Sequence, residues 1–163
     1  MEIRYLDKTR KEEWLPKLFD LLYENMGAIA PSGLTYEEER EMWMGQVSPG
    51  LEQPSRQIVF CLTGDELIGY VQYYCRGRMV MVEEVQIKKQ YQRSPVLCGL
   101  CRYLIHALPF DLEILEAFAD PRNRNSLNLM KRLGMERIED PVSEPFLHFR
   151  GEYPRIRAFF VRT

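Results

Sequence analysis

Apolar residues recur along the chain with two different periods, and the switches between them mark out the elements. From Glu12 to Met26 they fall at Trp14, Leu15, Leu18, Leu21, Leu22 and Met26, the spacing of one helical face. A second helix is expected after Thr35, which can cap it, with Glu38 three residues on completing a capping box. It carries Met42, Trp43 and Val47 and stops near Pro49-Gly50. Short apolar runs at 57–62, 67–75 and 79–87 then read as three strands, joined by turns at 63–66 and at Gly77. Residues 95–108 return to helical spacing, with Leu97, Leu100, Cys101, Leu104 and Leu108 on one face and Pro95 in the first turn, where its missing N–H breaks no helical bond. Residues 112–119 are almost wholly apolar, as in a buried parallel strand. A last helix from Asn125 or Ser126 to Gly134 is followed by strands expected at 135–138 and 155–161, after a first strand at 3–6. This order predicts an α/β domain over 1–163, with a mixed, mostly antiparallel sheet of about six to seven strands and helices on both faces.

Composition narrows the class. The 163 residues suffice for one domain with a real core, and 45% hydrophobic with 28% charged residues is ordinary for a globular chain. A net charge of −2 argues against a broad nucleic-acid-binding face. No apolar run approaches the roughly 20 residues of a membrane span, and the first residues lack the apolar core of a signal peptide, so no membrane association and a cytoplasmic location are expected. The strand expected at 155–161 would present an edge to a second copy, so a homodimer is one expectation. Cys98 and Cys101 form a C-x-x-C, but both fall inside the expected helix and Cys101 lies on its apolar stripe, so they read as core thiols. The two histidines, His106 and His148, have no ligand spacing with them, and no metal is expected.

The chemistry concentrates between Val82 and Leu97. A strand bearing Glu83 and Glu84 runs through a polar turn into an apolar-striped helix, and an exposed helix N-terminus favours an anion. Val80 and Val82 have even parity whereas Val85 and Ile87 have odd parity. A bulge at Glu83-Glu84 would reconcile them; a regular strand buried on both faces is the other reading, since Met79 and Met81 are also apolar.

This segment, VEEVQIKKQYQRSPVL, resembles the cofactor-binding motif of the GNAT superfamily of acetyl-CoA-dependent N-acyltransferases. A second motif of that family is matched by Asn123, Ser126, Leu129, Met130, Arg132, Gly134 and Met135. The resemblance implies a strand pair that splays apart to admit the pantetheine of acetyl-CoA. It implies backbone contacts from Val85, Gln86 and Ile87, a pyrophosphate on the turn of Gln92, Arg93, Ser94, Pro95, Val96 and Leu97, and cofactor contacts from Asn123 and Ser126. It also implies acetyl transfer to a primary amine, borne by a small molecule or a peptide, by direct attack. Glu83, with Glu84 beside it, would be the carboxylate that accepts the proton through water. The chain departs from the family where both glycines of the turn are replaced, Pro95 and Leu97 standing in that stretch, and where Met130 replaces the tyrosine that acts as general acid. Tyr73, Tyr74 and Tyr91 are candidates to relocate that role, and Arg93, Arg122 and Arg124 to compensate in charge. A GNAT-fold acyl-CoA-binding or regulatory module without catalysis is the alternative.

Overall fold

The computed structural model describes residues 1–162. In chain order its elements are β1 (Glu2–Tyr5), α1 (Lys11–Ile29), α2 (Tyr36–Gly50), β2 (Gln57–Thr63), β3 (Glu66–Arg76), β4 (Met79–Ile87), α3 (Val96–Ala107), β5 (Ile114–Ala119), α4 (Arg124–Arg132), β6 (Glu136–Ile138), β7 (Leu147–Glu152) and α5 (Tyr153–Arg162), with short 3-10 turns at Lys8–Arg10 and Lys89–Tyr91. The strands form one mixed sheet in the order β1-β2-β3-β4-β5-β7-β6, antiparallel except for β4 and β5. Helices α1 and α2 cover one face of its first half, over Ile58, Phe60, Leu62 and Tyr70. Helix α3 packs on the other face over Val59, Val71, Val80 and Ile87, and α4 and α5 continue that layer across β5.

Local chemistry explains most boundaries. Thr35 caps α2 by accepting from Glu38 N–H at 3.2 Å, while the Glu38 carboxylate takes Thr35 N–H at 2.9 Å, so the capping box is complete. The β2–β3 hairpin turns at Gly64, whose φ of +59° only glycine adopts readily.

Two expectations fail. Helix α1 runs on through Gly27 to Ile29, past Met26, the last residue of its expected stripe. Residues 155–161 form most of α5 rather than a strand, and the last strand, β7, lies just before it. The buried residues of α5 are Tyr153, Ile156 and Phe160, spaced by three and four, which is a helical stripe. Alternation along RIRAFFV conceals it. The edge expected there for a second copy is therefore a helix surface, and the sheet ends at β1 and β6.

The feature that shapes the site is in β4. Against β3, Gln72 pairs with Glu84 and Tyr73 with Val82, leaving Glu83 as the extra residue of a bulge. Val80 and Ile87 consequently share one core despite opposite parity, with Val82 packed against it. The parallel ladder with β5 stops at the same place, Val82 opposite Ala117, so the strands part from Glu83 onward.

Helix α4 ends in a Schellman motif. Met135 N–H reaches Met130 C=O at 3.0 Å, Gly134 N–H reaches Lys131 C=O at 3.1 Å, and Gly134 has φ +71°. Gly134→Ala is expected to destabilise the fold by about 1–2 kcal/mol, the cost of a side chain in the left-handed region. The check is the urea midpoint at unchanged slope.

Candidate active site

The bulge sets both carboxylates into one pocket. This pocket, of about 280 Å³, lies between α2 and the β3–β4 pair and is lined by Trp43, Gln46, Val47, Arg56, Gln72, Glu83 and Glu84. In an unbroken strand two adjacent side chains would face opposite sides of the sheet.

The two groups are held differently. Glu83 accepts from Arg56 Nε at 2.8 Å and Nη2 at 2.7 Å, a bidentate pair, and from Gln72 Nε2 at 2.8 Å. Arg56 is itself fixed by donation to Gln53 Oε1 at 2.9 Å and lies over the Tyr74 ring. The hydrogen bond to Glu83 holds the guanidinium pKa above its usual value, so the pair is built as a pair of ions.

Glu84 has no cation. Its Oε1 accepts from Gln86 Nε2 at 2.6 Å, Gln86 Oε1 accepts from Asn25 Nδ2 at 2.9 Å, and the same Asn25 nitrogen donates to Ile87 C=O at 2.9 Å. Glu84 keeps some surface in the pocket, yet its carboxyl sits behind enough protein that burial raises its pKa to about 7. The Gln86 hydrogen bond opposes that rise and the Glu83 charge adds to it. Tyr70, on the neighbouring strand, carries a fully buried hydroxyl without a hydrogen-bond partner.

Beside the pocket is the gap between β4 and β5. Lys88 N–H bonds to Ile68 C=O, so the alternation of an antiparallel pair turns the backbone groups of Val85 and Ile87 away from β3, toward the gap. Val85 is accessible there. Ile87 C=O is already taken by Asn25 and by Gln92 Nε2 at 3.1 Å, so the Gln92 side chain braces the strand rather than the loop. The Gln86 side chain is buried in the Glu84 network, not in the gap.

The loop into α3 keeps part of its expected role. Ser94 N–H bonds Tyr91 C=O at 3.0 Å and is spent, and Pro95 has no N–H. Pro95 offers α3 no side-chain cap, and Val96 N–H has only a long 3.4 Å contact to Ser94 Oγ. The first-turn N–H groups of Leu97 and Cys98 lack helical partners by construction. Leu97 packs its side chain on the core instead of filling the space before the helix. Among the described residues no non-glycine has positive φ, so this turn needs no glycine for its shape. Arg93 is exposed beside it.

The remaining candidates divide. Asn123 caps α4, accepting from Ser126 N–H at 3.2 Å, so both residues shape that helix start. Arg122 is engaged bidentately by Asp120 at 3.0 Å and is not a spare cation; Arg124 is exposed. Met130 is buried in the α4–α5 core. Of the tyrosines, Tyr73 bonds Tyr5 and is held protonated by burial, Tyr91 packs toward the α3 core, and Tyr74 lies under Arg56. Cys98 and Cys101 are free thiols within α3, and burial pushes Cys101 up to about 12. His148 bridges Glu116 and Asp140 at 3.0 and 2.9 Å, tying the loop before β7 to β5. Among the described residues no group of three or more His, Cys, Asp or Glu side chains could hold a metal ion, and no helix is long and apolar enough to cross a membrane.

Sequence reasoning singled out Glu83, Glu84 and Gln86 but passed over Asn25, Arg56 and Gln72. Asn25 left a signal, because it falls on the apolar stripe of α1 seven residues after Leu18 and is buried there.

No protein-family model matches the chain, and no curated protein matches it in sequence. Solved structures do. The PaiA N-acetyltransferase of Thermoplasma acidophilum, in complex with coenzyme A, superposes with a TM-score of 0.72 at 14% identity, covering 93% of this chain and 98% of that one. A GNAT-family acetyltransferase of Staphylococcus aureus Mu50 gives 0.70 at 9% identity over 93% and 98%. An aminoglycoside 6'-acetyltransferase type Ii gives 0.67 at 16% over 93% and 97%. The chain has the GNAT N-acetyltransferase fold; at these identities the likeness is one of fold.

The raised pKa of Glu84 has a thermodynamic consequence. Between its ordinary value of 4.5 and about 7 the folded protein binds a proton that the unfolded chain releases. Stability on this account is full below 4.5 and falls as pH rises toward 7. Glu84→Gln is therefore expected to stabilise the protein by about 1–3 kcal/mol at pH 8 and to change nothing near pH 4. Urea midpoints at the two pH values check it.

Proposed function

We propose that the protein is an acetyl-CoA-dependent N-acyltransferase that acetylates a primary amine on a small molecule or peptide, with Glu84 as the proton acceptor. The observation that carries this reading is a carboxyl of pKa about 7 in the wall of a pocket, beside the point where two parallel strands part. A general base works best with a pKa near the operating pH, because it must be deprotonated and still basic enough to take the proton.

The residues present fit the co-substrate. The outward backbone of Val85 and the N–H groups of Leu97 and Cys98 at the start of α3 would hold its pantetheine and pyrophosphate, with Arg93 as a nearby cation. Acetyl-CoA would supply the thioester carbon that the amine attacks, the C–N bond forming as the C–S bond breaks. The protein's task is to free the amine lone pair. Glu84 Oε2, left open by the bond that Gln86 makes to Oε1, takes the ammonium proton directly or through one water. Glu83 stays an anion under Arg56 and Gln72 and serves by raising the proton affinity of its neighbour, so the base role passes from Glu83 to Glu84. No tyrosine hydroxyl stands at Met130, and solvent at the open gap supplies the proton that the departing thiolate needs.

Acetyl-CoA is expected to bind saturably in calorimetry, and free thiol to appear on mixing with an amine from a panel of small and peptide acceptors. Glu84→Gln should lower kcat/KM about 10²–10⁴-fold with acetyl-CoA affinity retained. Full activity in Glu84→Gln would overturn the role of Glu84. Binding without turnover on any amine would favour the non-catalytic module.

A further inference from the structure

Among the described residues five polar or charged side chains are buried, and three of them, Asn25, Gln72 and Gln86, belong to the hydrogen-bond network of Glu83 and Glu84. Gln72 reaches Glu83. Asn25 and Gln86 form a chain that ends on Glu84, and its polarity is determined by a backbone atom. Ile87 C=O can only accept, so the Asn25 atom 2.9 Å from it is the amide nitrogen. That nitrogen also lies 2.9 Å from Gln86, which must therefore present its oxygen. The other end of the Gln86 amide, 2.6 Å from Glu84 Oε1, is then its NH₂ group. Neither amide can flip without setting two acceptors, or two donors, against each other.

The geometry points to Asn25 and Gln86 as positioning residues for the proton transfer: the fixed Ile87 carbonyl orients both amides, so that Glu84 Oε1 always accepts a hydrogen bond and the titrating proton is confined to Oε2, the oxygen that Gln86 leaves open. Asn25 thus acts on the site from α1, across the sheet face, without touching substrate. The inference rests on Glu84 as the base and adds which oxygen works and what tunes it. A donor aimed at the ionised form stabilises it, so the relay counteracts burial and keeps the group usable near neutral pH.

The groups facing Glu84 are few. On β4 there is the Glu83 carboxylate, paired with Arg56, whose charge acts on Glu84. From β3 come Gln72 and the buried Tyr70 hydroxyl, which stays protonated. From α1, Asn25 acts only through Gln86, and Trp43 and Gln46 of α2 line the pocket without charge. Removing the relay by an uncharged substitution therefore isolates its contribution.

The test is the titration of the Glu84 side-chain ¹³C carboxyl by NMR in the free protein, alongside the pH profile of kcat/KM. Gln86→Leu is expected to raise the Glu84 midpoint by about one unit, a tenfold change in proton affinity, and to move the acid limb of the profile with it. Asn25→Leu should shift both in the same direction by less, and should add nothing in the Gln86→Leu background. If Gln86→Leu does not fold, by near-ultraviolet circular dichroism, Gln86→Met takes its place. An unmoved midpoint in a folded Gln86 variant, or additive effects of the two substitutions, overturns the relay while leaving the base assignment standing. A Glu84→Gln protein with wild-type turnover overturns the base assignment instead, whatever the titration shows.

Discussion

One extra residue in β4 is the constraint on which the rest depends. Without the bulge at Glu83, Val80 and Ile87 could not share a core, because their parities differ. With it, three things follow together. Both apolar sets face α3, two consecutive carboxylates turn into one pocket, and β4 leaves β5 after Val82. A strand that kept its register would bury one glutamate among the side chains under α3, at a cost no partner there offsets. The hydrophobic pattern and the placement of the acids thus require the same local geometry.

Placing two carboxylates side by side creates an electrostatic problem that the fold resolves unequally. Both cannot ionise freely at close range in a partly dry pocket. Arg56 and Gln72 commit three hydrogen bonds to Glu83. The Glu83 charge then falls on Glu84, where it joins burial in raising the proton affinity. The pair is thus asymmetric, one carboxylate held by a cation and the other buried without one. The functional asymmetry comes from the partners, since the two residues are chemically identical.

Much of this was legible in the sequence, for identifiable reasons. The expected span of β4 has its observed ends, and the parity break between Val82 and Val85 offered the bulge as one of two readings, which the pairing with β3 decides. The complete capping box at Thr35 and Glu38 is a local interaction and was visible locally. What escaped was long-range. Arg56 lies 27 residues from Glu83, and Asn25 lies 61 residues from Gln86, and only the folded sheet brings each pair together. Helix α5 escaped for a different reason. Its stripe of Tyr153, Ile156 and Phe160 is interleaved with Ala158, Phe159 and Val161, and a short apolar run supports either period. The cofactor contacts expected of Gln86, Gln92 and Asn123 come from position in a motif, Gln86 through its backbone; their side chains bond Glu84, Ile87 C=O and the start of α4, partners that no motif position reveals.

The replaced glycines can be weighed in the same terms. A glycine serves such a turn through left-handed torsions or by leaving room for an anion's close approach. The first need does not arise, because the turn before α3 contains no positive φ. The second is eased by Leu97, whose side chain packs on the core. What is lost is the N–H of residue 95, worth about 1.5–3 kcal/mol as a hydrogen bond to a charged group, or roughly 10- to 150-fold in affinity. That weakens an anion site without removing it. A pure binding module would have no use for a buried carboxyl near pKa 7, which destabilises the fold above that pH. Holding such a group at the mouth of a split strand pair is a continuing cost, and the proton transfer proposed for Glu84 is a use that would offset it.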